Sequence, residues 1–210
     1  MIDILVVDDH AVVRRGIVQI VAETSDMRCT GEAASGSEAL SLVRTCNYDV
    51  IILDIHLPDS NGLELLKQIK SFKPTIPILI LTMYPEQQYA IRAFKAGALG
   101  YLTKESVPDE LVIALRKVAY NQPYVSASLA GILATHLGQH IEQKAHEELS
   151  DREDQVLRLL AAGKTASQIA STLSLSVKTV STYRSRILKK LKLHTTAELI
   201  RYALDHGLLL

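Results

Sequence analysis

The sequence predicts an α/β fold, a doubly wound five-stranded parallel sheet, followed by a small all-α domain of four helices. Three observations lead there. Residues 1–120 alternate short apolar runs with amphipathic helical patterns, the signature of parallel strands covered by helices on both faces. From Leu149 onward the strand-like runs stop, and helix-start signatures recur. The formal net charge is zero over 210 residues, yet residues 1–120 carry 12 Lys/Arg against 15 Asp/Glu, and residues 146–210 carry 10 against 7.

The strands are expected near Ile2–Val7, Arg28–Ala33, Val50–Leu53, Ile78–Leu81 and Gly100–Leu102, the third and fourth rich in Ile, Val and Leu as doubly covered strands should be. Between and after them run helical stripes: Val12, Val13, Ile17, Ile20 and Val21; then Ala39, Leu40, Leu42 and Val43; and finally Leu111, Ala114, Leu115 and Val118. Residues 121–145 read as a linker with one helix (Leu129, Ile132, Leu133, Leu137). The last domain, 146–210, divides into helices from about Asp151 to Ala162, Ala166 to Leu173, Val177 to Leu191 and Thr196 to His206. Ser150-Asp151-Arg152-Glu153 and Thr165-Ala166-Ser167-Gln168 fit capping boxes, Ser176 is a third N-cap, and Gly163 and Gly207 are natural stops.

The chain reads as a soluble globular protein of the cytoplasm. No apolar run approaches the roughly eighteen residues of a membrane span, and the N-terminus has neither a basic leader nor a long hydrophobic region. Cys29 and Cys46 form neither a CxxC pair nor a zinc ligand set, which suits a reducing compartment and two ordinary buried thiols.

In a doubly wound sheet, functional groups gather at the carboxyl ends of the strands. Here Asp8 and Asp9 follow the first strand, Asp54 the third, Thr82 the fourth, and Lys104 lies just past the fifth. Each alone has a bland reading: a solvated loop, an N-cap, a strand-end turn, a surface lysine. Their joint placement does not. Carboxylates forced together repel, by about 1 kcal/mol per pair at 4 Å in water and roughly 4 at an effective dielectric of 20, so the cluster calls for a cation. Oxygen-only ligands suit Mg²⁺, and an Asp carboxylate can act as nucleophile toward phosphorus while a lysine and a hydroxyl steady the phosphoryl oxygens.

These residues carry a resemblance. Val6-Val7-Asp8-Asp9-His10, Ile52-Leu53-Asp54-Ile55-His56-Leu57-Pro58-Asp59-Ser60-Asn61-Gly62, Leu81-Thr82, Ala96-Gly97-Ala98 and Gly100-Tyr101-Leu102-Thr103-Lys104 resemble receiver domains of the CheY type over residues 1–120. The resemblance implies strand order 2-1-3-4-5 and Asp54 as phosphoacceptor. It implies Mg²⁺ held by Asp9, Asp54 and the backbone carbonyl of His56, with Asp8 acting mainly through water. It also implies a switch in which Thr82 closes on the phosphoryl group while Tyr101 turns inward. Tyr101 as a half-buried packing aromatic stays open as the plainer alternative, and Tyr84 sits where the family varies.

In the second domain the stretch from Lys178 to Lys192 holds six basic residues and no acid. Its helix is expected to bury Val177, Val180, Ile187, Leu188 and Leu191, leaving Lys178, Ser181, Thr182, Ser185 and Lys189 along the other face. The turn Leu173-Ser174-Leu175-Ser176 lacks the frequent glycine. As a bare pattern this is more often a solvated helix. However, Leu149-Ser150-Asp151-Arg152-Glu153, Leu159-Leu160-Ala161-Ala162-Gly163, Gln168-Ile169-Ala170, Leu175-Ser176-Val177-Lys178-Thr179-Val180, Tyr183-Arg184 and Lys190-Leu191 are similar to the LuxR-type helix-turn-helix output domain of NarL/FixJ regulators. That similarity assigns Ser181, Thr182 and Ser185 to base edges and Lys178, Tyr183, Arg184 and Lys189 to the DNA backbone. Thr165 becomes a phosphate contact at a helix start. Tyr183 stands where His is commoner in the family.

Together the two resemblances imply a phosphorylation-controlled transcription regulator that is not an enzyme beyond its own phosphotransfer and autodephosphorylation. Its implied partners are a sensor histidine kinase, promoter DNA with paired half-sites and RNA polymerase, with homodimer formation when active and no membrane association. Two rivals stand beside it. A phosphatase of the haloacid-dehalogenase type would carry a second Asp two residues after the nucleophile, where this chain has His56. A receiver controlled by protein docking alone would not need so complete an acidic site.

Overall fold

The computed structural model describes residues 1–106, 108–138, 149–206 and 208. The chain forms two compact units, Met1–Gln139 and His140–Leu210. No helix among the described residues is long and apolar enough to cross a membrane.

The first unit runs β1 (Ile2–Val7), α1 (Ala11–Ala22), β2 (Met27–Ala33), α2 (Gly36–Thr45), β3 (Val50–Leu53), α3 (Gly62–Phe72), β4 (Ile78–Thr82), α4 (Glu86–Lys95), β5 (Gly100–Thr103), α5 (Pro108–Ala119) and α6 (Ala127–Gly138). The five strands form one parallel sheet in the order β2-β1-β3-β4-β5. Because side chains alternate across a strand, neighbouring residues feed different cores. Leu5, Val7, Ile51, Leu53, Ile78 and Ile80 pack on one face with the apolar residues of α2, α3 and α4. Ile4, Val6, Ile52, Leu79 and Leu81 pack on the other with those of α1 and α5.

Two side-chain expectations in the first unit need correction. Val12 is 83% exposed: at about 100° per residue it lies roughly 140° around the helix from buried Ile17. The α1 stripe is therefore Val13, Ile17, Ile20 and Val21. The cysteines are not both buried: Cys46, at the C-cap of α2, is exposed, and Cys29, on edge strand β2, is half-buried. The helix in the expected linker, α6, lies inside the first unit and packs against α4. Leu129 is fully buried there, with Ile132 and Leu133 packed beside it. The side chain of Leu137 lies outside the described ones.

The second unit contains α7 (Asp151–Ala161), α8 (Ala166–Thr172), α9 (Val177–Leu191) and α10 (Thr196–Asp205). Val156, Leu157, Ile169, Val180, Ile187, Leu199 and Ala203 form its core. Both expected capping boxes are present, Ser150 with Glu153 and Thr165 with Gln168, and Ser176 caps α9 through the Thr179 N–H. Gly163 ends α7 at φ +77°, a conformation glycine adopts without strain. In the α8–α9 turn Ser174 takes the left-handed conformation instead, at φ +52°. Gly207 lies outside the described residues. Val177 is 47% exposed because it stands in the first turn of α9, ahead of the core contacts that begin at Val180.

Candidate functional site

The sheet builds the acidic pocket directly. Val7 of β1 pairs with Leu53 of β3, so both strands end side by side, and the Asp54 N–H donates to the Val7 carbonyl at 2.9 Å. Asp8 and Asp54 are each 2% exposed. One ligand atom from each of Asp8, Asp9, His10 and Asp54 falls within a 4.8 Å span. His10 Nδ1 lies 2.6 Å from an Asp9 oxygen and 3.3 Å from Asp8.

Lys104 completes the cluster from β5. Its backbone N–H donates to the Thr82 carbonyl at 2.8 Å, which aims its side chain across the strand ends. Nζ then lies 2.6 Å from both Asp8 Oδ2 and Asp54 Oδ2. Burial opposes the ammonium, but the hydrogen bonds and charges of Asp54 and Asp8 outweigh it and hold the lysine above its ordinary pKa. The Thr82 hydroxyl is fully buried and has no hydrogen-bond partner among the described residues. A buried hydroxyl without a partner is costly, and this one ends the strand beside Lys104. The donor set is oxygen-rich and negatively charged, and so fits a hard divalent ion with a phosphoryl group.

The β3–α3 loop shapes the rim. The His56 N–H donates to Asp54 Oδ1 at 3.2 Å, and His56 pairs with Asn61 in an isolated bridge. Gly62 is required by contact: a Cβ there would stand 2.1 Å from the Asp54 carbonyl oxygen. Asp59 ties this loop to α2, accepting the Gly36 N–H at 2.8 Å and the Ser37 N–H at 2.9 Å. Burial opposes its charge, yet these two amides draw its pKa below 3.8.

Tyr101 is fully buried, and its hydroxyl donates to the Tyr84 carbonyl at 2.8 Å. The ring is thus turned inward, and burial followed by the nearby Tyr89 and Glu86 raises its pKa, keeping the hydroxyl a donor. Sequence reasoning missed Arg14, which donates to the Asp8 carbonyl at 2.6 Å. No spacing rule marks it, because the contact exists only once the start of α1 packs beside β1.

In the second unit, Lys178, Ser181, Thr182, Arg184, Ser185 and Lys189 are all exposed along α9, and Tyr183 is half-buried against the core. Thr182 and Ser185 hydroxyls donate to the Lys178 and Ser181 carbonyls, each at 3.0 Å. Arg184 donates to Thr196 Oγ1 at 3.1 Å, and Lys190 is held by Glu153 at 2.6 Å. Thr165 is exposed at the start of α8, with Oγ1 accepting the Gln168 N–H. Arg186 and Lys192 are further exposed cations. Their signal in the sequence is the acid-free basic run itself.

Comparison with known proteins agrees with this two-part arrangement. The model of the response regulator receiver domain matches residues 4–116, and that of bacterial regulatory proteins of the luxR family matches residues 147–203. The chain is 35% identical to the response regulator UvrY of Escherichia coli K12 over 99% of its length and 96% of that protein. It is 36% identical to the response regulator GacA of Pseudomonas aeruginosa over 99% and 98%. Among solved structures, RcsB of Salmonella enterica serovar Typhimurium, bound to a promoter in the presence of the phosphomimetic BeF₃⁻, matches with a TM-score of 0.66 and 26% identity, over 96% of this chain and 97% of that one.

Proposed function

The chain belongs to the response regulators that join a receiver domain to a LuxR-type DNA-binding domain and regulate transcription, and on that premise we propose that Asp54 is the phosphoacceptor controlling promoter binding by α9. The observation that carries this reading is the geometry around Lys104, which bridges Asp8 and Asp54 beside an unpartnered Thr82 hydroxyl. A sensor histidine kinase supplies the phosphoryl group. An Asp54 oxygen forms the new P–O bond as the P–N bond of the donor phosphohistidine breaks, and the imidazole leaves with the electron pair and takes up a proton.

Asp9, Asp54 and the His56 carbonyl would hold Mg²⁺ directly, with Asp8 contributing through water. When bound, the ion neutralises charge on the phosphoryl oxygens. Lys104 transfers one of its contacts to a phosphoryl oxygen, and the Thr82 hydroxyl gains the acceptor it lacks. The inward Tyr101, bonded to the Tyr84 carbonyl, is the conformer that the phosphoryl group then favours over an outward one. The site accepts the phosphoryl group onto Asp54 and later loses it to water as inorganic phosphate, and in this reading the protein is not otherwise an enzyme.

In the second unit, Lys178, Tyr183, Arg184 and Lys189 grip phosphates, with Thr165 adding a contact at a helix start. Ser181, Thr182 and Ser185 face the base edges. Three short hydroxyl side chains discriminate weakly, so specificity draws on DNA shape and on a homodimer spanning paired half-sites. The reading places the protein in the cytoplasm with RNA polymerase as a further partner. The receiver proper is 1–120, the 121–145 linker carries α6, which docks on the receiver's α4, and the DNA-binding domain is 146–210.

The test is operator binding with and without a small phosphodonor plus Mg²⁺. Phosphorylation is expected to raise affinity within the roughly 5- to 150-fold range of allosteric coupling, and Asp54→Asn to abolish the increase. Equal binding by Asp54→Asn and the phosphorylated protein would remove phosphorylation as the control.

A further inference from the structure

Four contacts meet in the short loop after Thr82 and on the first residue of α4. The Tyr84 carbonyl accepts the Tyr101 hydroxyl at 2.8 Å, and the Pro85 carbonyl lies 3.5 Å from the same hydroxyl. Pro85 is the N-cap of α4. Glu86, the first residue of that helix, accepts a hydroxyl on each carboxylate oxygen: Ser126 on Oε1 and Ser128 on Oε2, both at 2.5 Å.

The two serines stand at the start of α6, where Ser126 Oγ also accepts the Leu129 N–H at 3.1 Å. Leu129 is fully buried in the core cluster that contains Tyr89 and Tyr101. The start of α6 is therefore held twice, by a charged clamp on the first residue of α4 and by an apolar plug in the cluster that inward Tyr101 helps to fill. Hydrogen bonds to an ionised carboxylate are the short, strong kind.

We propose that Glu86, Ser126 and Ser128 form the latch through which the state of the Asp54 site reaches α6. Inward Tyr101 fixes the Tyr84–Pro85 backbone, which sets Glu86, which holds α6 on α4. An outward Tyr101 frees that backbone and opens space in Leu129's cluster, so both supports weaken together. In the chain, α6 is the last described element before the second unit, so its docking is the step the output side can read. This proposal rests on Asp54 accepting phosphate. By reciprocity, whatever the phosphoryl group adds to α6 docking, docking adds to phosphoryl binding.

Hydrogen exchange on the full-length protein with Mg²⁺, with and without beryllofluoride, provides the test. In the wild type, amides at the start of α6 are expected to gain protection when the adduct forms. The Ser126→Ala/Ser128→Ala variant is expected to lose that gain and to bind beryllofluoride about fivefold more weakly or worse. Glu86→Ala leaves the Ser126 cap intact and is expected to behave the same way; if only the serine variant responds, the effect is helix capping and the latch is overturned. Unchanged or reduced α6 protection on adduct formation also overturns it. Fluorine NMR separates the two claims: an adduct without an α6 response sinks the latch alone, whereas no adduct on wild type sinks the phosphoacceptor reading and the latch with it.

Discussion

Lys104 Nζ lies 2.6 Å from Asp54 Oδ2 and 2.6 Å from Asp8 Oδ2, so one ammonium holds together two carboxylates that the parallel register of β1 and β3 forces side by side. Removing it leaves two buried charges without compensation, a loss of roughly 3 kcal/mol for a broken buried pair. Lys104→Met is therefore expected to melt lower than wild type in EDTA. It is also expected to gain more from added Mg²⁺ than wild type does, because the ion then takes over the role of the lysine. Thermal unfolding of both proteins with EDTA and with Mg²⁺ checks this; equal Mg²⁺ increments would contradict it.

Gly62 touches the phosphoacceptor strand end through its missing side chain. A methyl group there would press on the Asp54 carbonyl oxygen at 2.1 Å, with Ile55 Cα at 2.7 Å. Gly62→Ala is expected to cost about 1–3 kcal/mol as the loop is forced outward, and to weaken beryllofluoride uptake more than Gly16→Ala, whose added Cβ meets nothing within 4 Å. Chemical denaturation and fluorine NMR would measure the two effects.

Asp59 makes the first unit sensitive to acid. Its pKa is lower in the folded protein than its ordinary 3.8 because two α2 amides bond the carboxylate. A lowered folded value means the unfolded chain binds more protons, so the contribution is fully present above about pH 4–5 and is lost as pH falls through the folded pKa. Asp59→Asn is expected to flatten that acid-side slope. Urea unfolding from pH 6 to 3 compares the slopes, and identical slopes would dismiss the clamp.

Lys178 and Ser185 are both exposed on α9 but should fail differently. Lys178→Ala removes a phosphate contact, so binding is expected to weaken about equally on all sequences, with the salt slope falling by about 1. Substitution of Ser185 is expected to alter the preferred sequence instead. Titrations on two operators at several salt concentrations separate these, and unchanged salt slopes would reject the Lys178 assignment.

Most of the first unit could be read from the chain because strand ends, helix stripes and turn residues are local patterns. The strand positions agree to within a residue at each end, and the acidic residues gather as the strand ends imply. Val12 was misread because a helical stripe assigned by residue type alone includes a neighbour on the wrong side. Arg14 was invisible because its partner is a backbone carbonyl, which every residue possesses.

What the sequence by itself determined is the order of the two domains and the identity of the residues at each strand end, since apolar period and turn chemistry are properties of neighbouring residues. The tertiary structure decided the contacts between distant segments. These include the Lys104 bridge across 50 residues to Asp54, the grip of Glu86 on Ser126 and Ser128, and the docking of α6 on α4 where the chain alone reads as a linker. The physical reason is that a hydroxyl or carboxylate carries no sequence mark of its partner. Only the packing of Leu129 beneath α6 brings Ser126 and Ser128 within reach of Glu86.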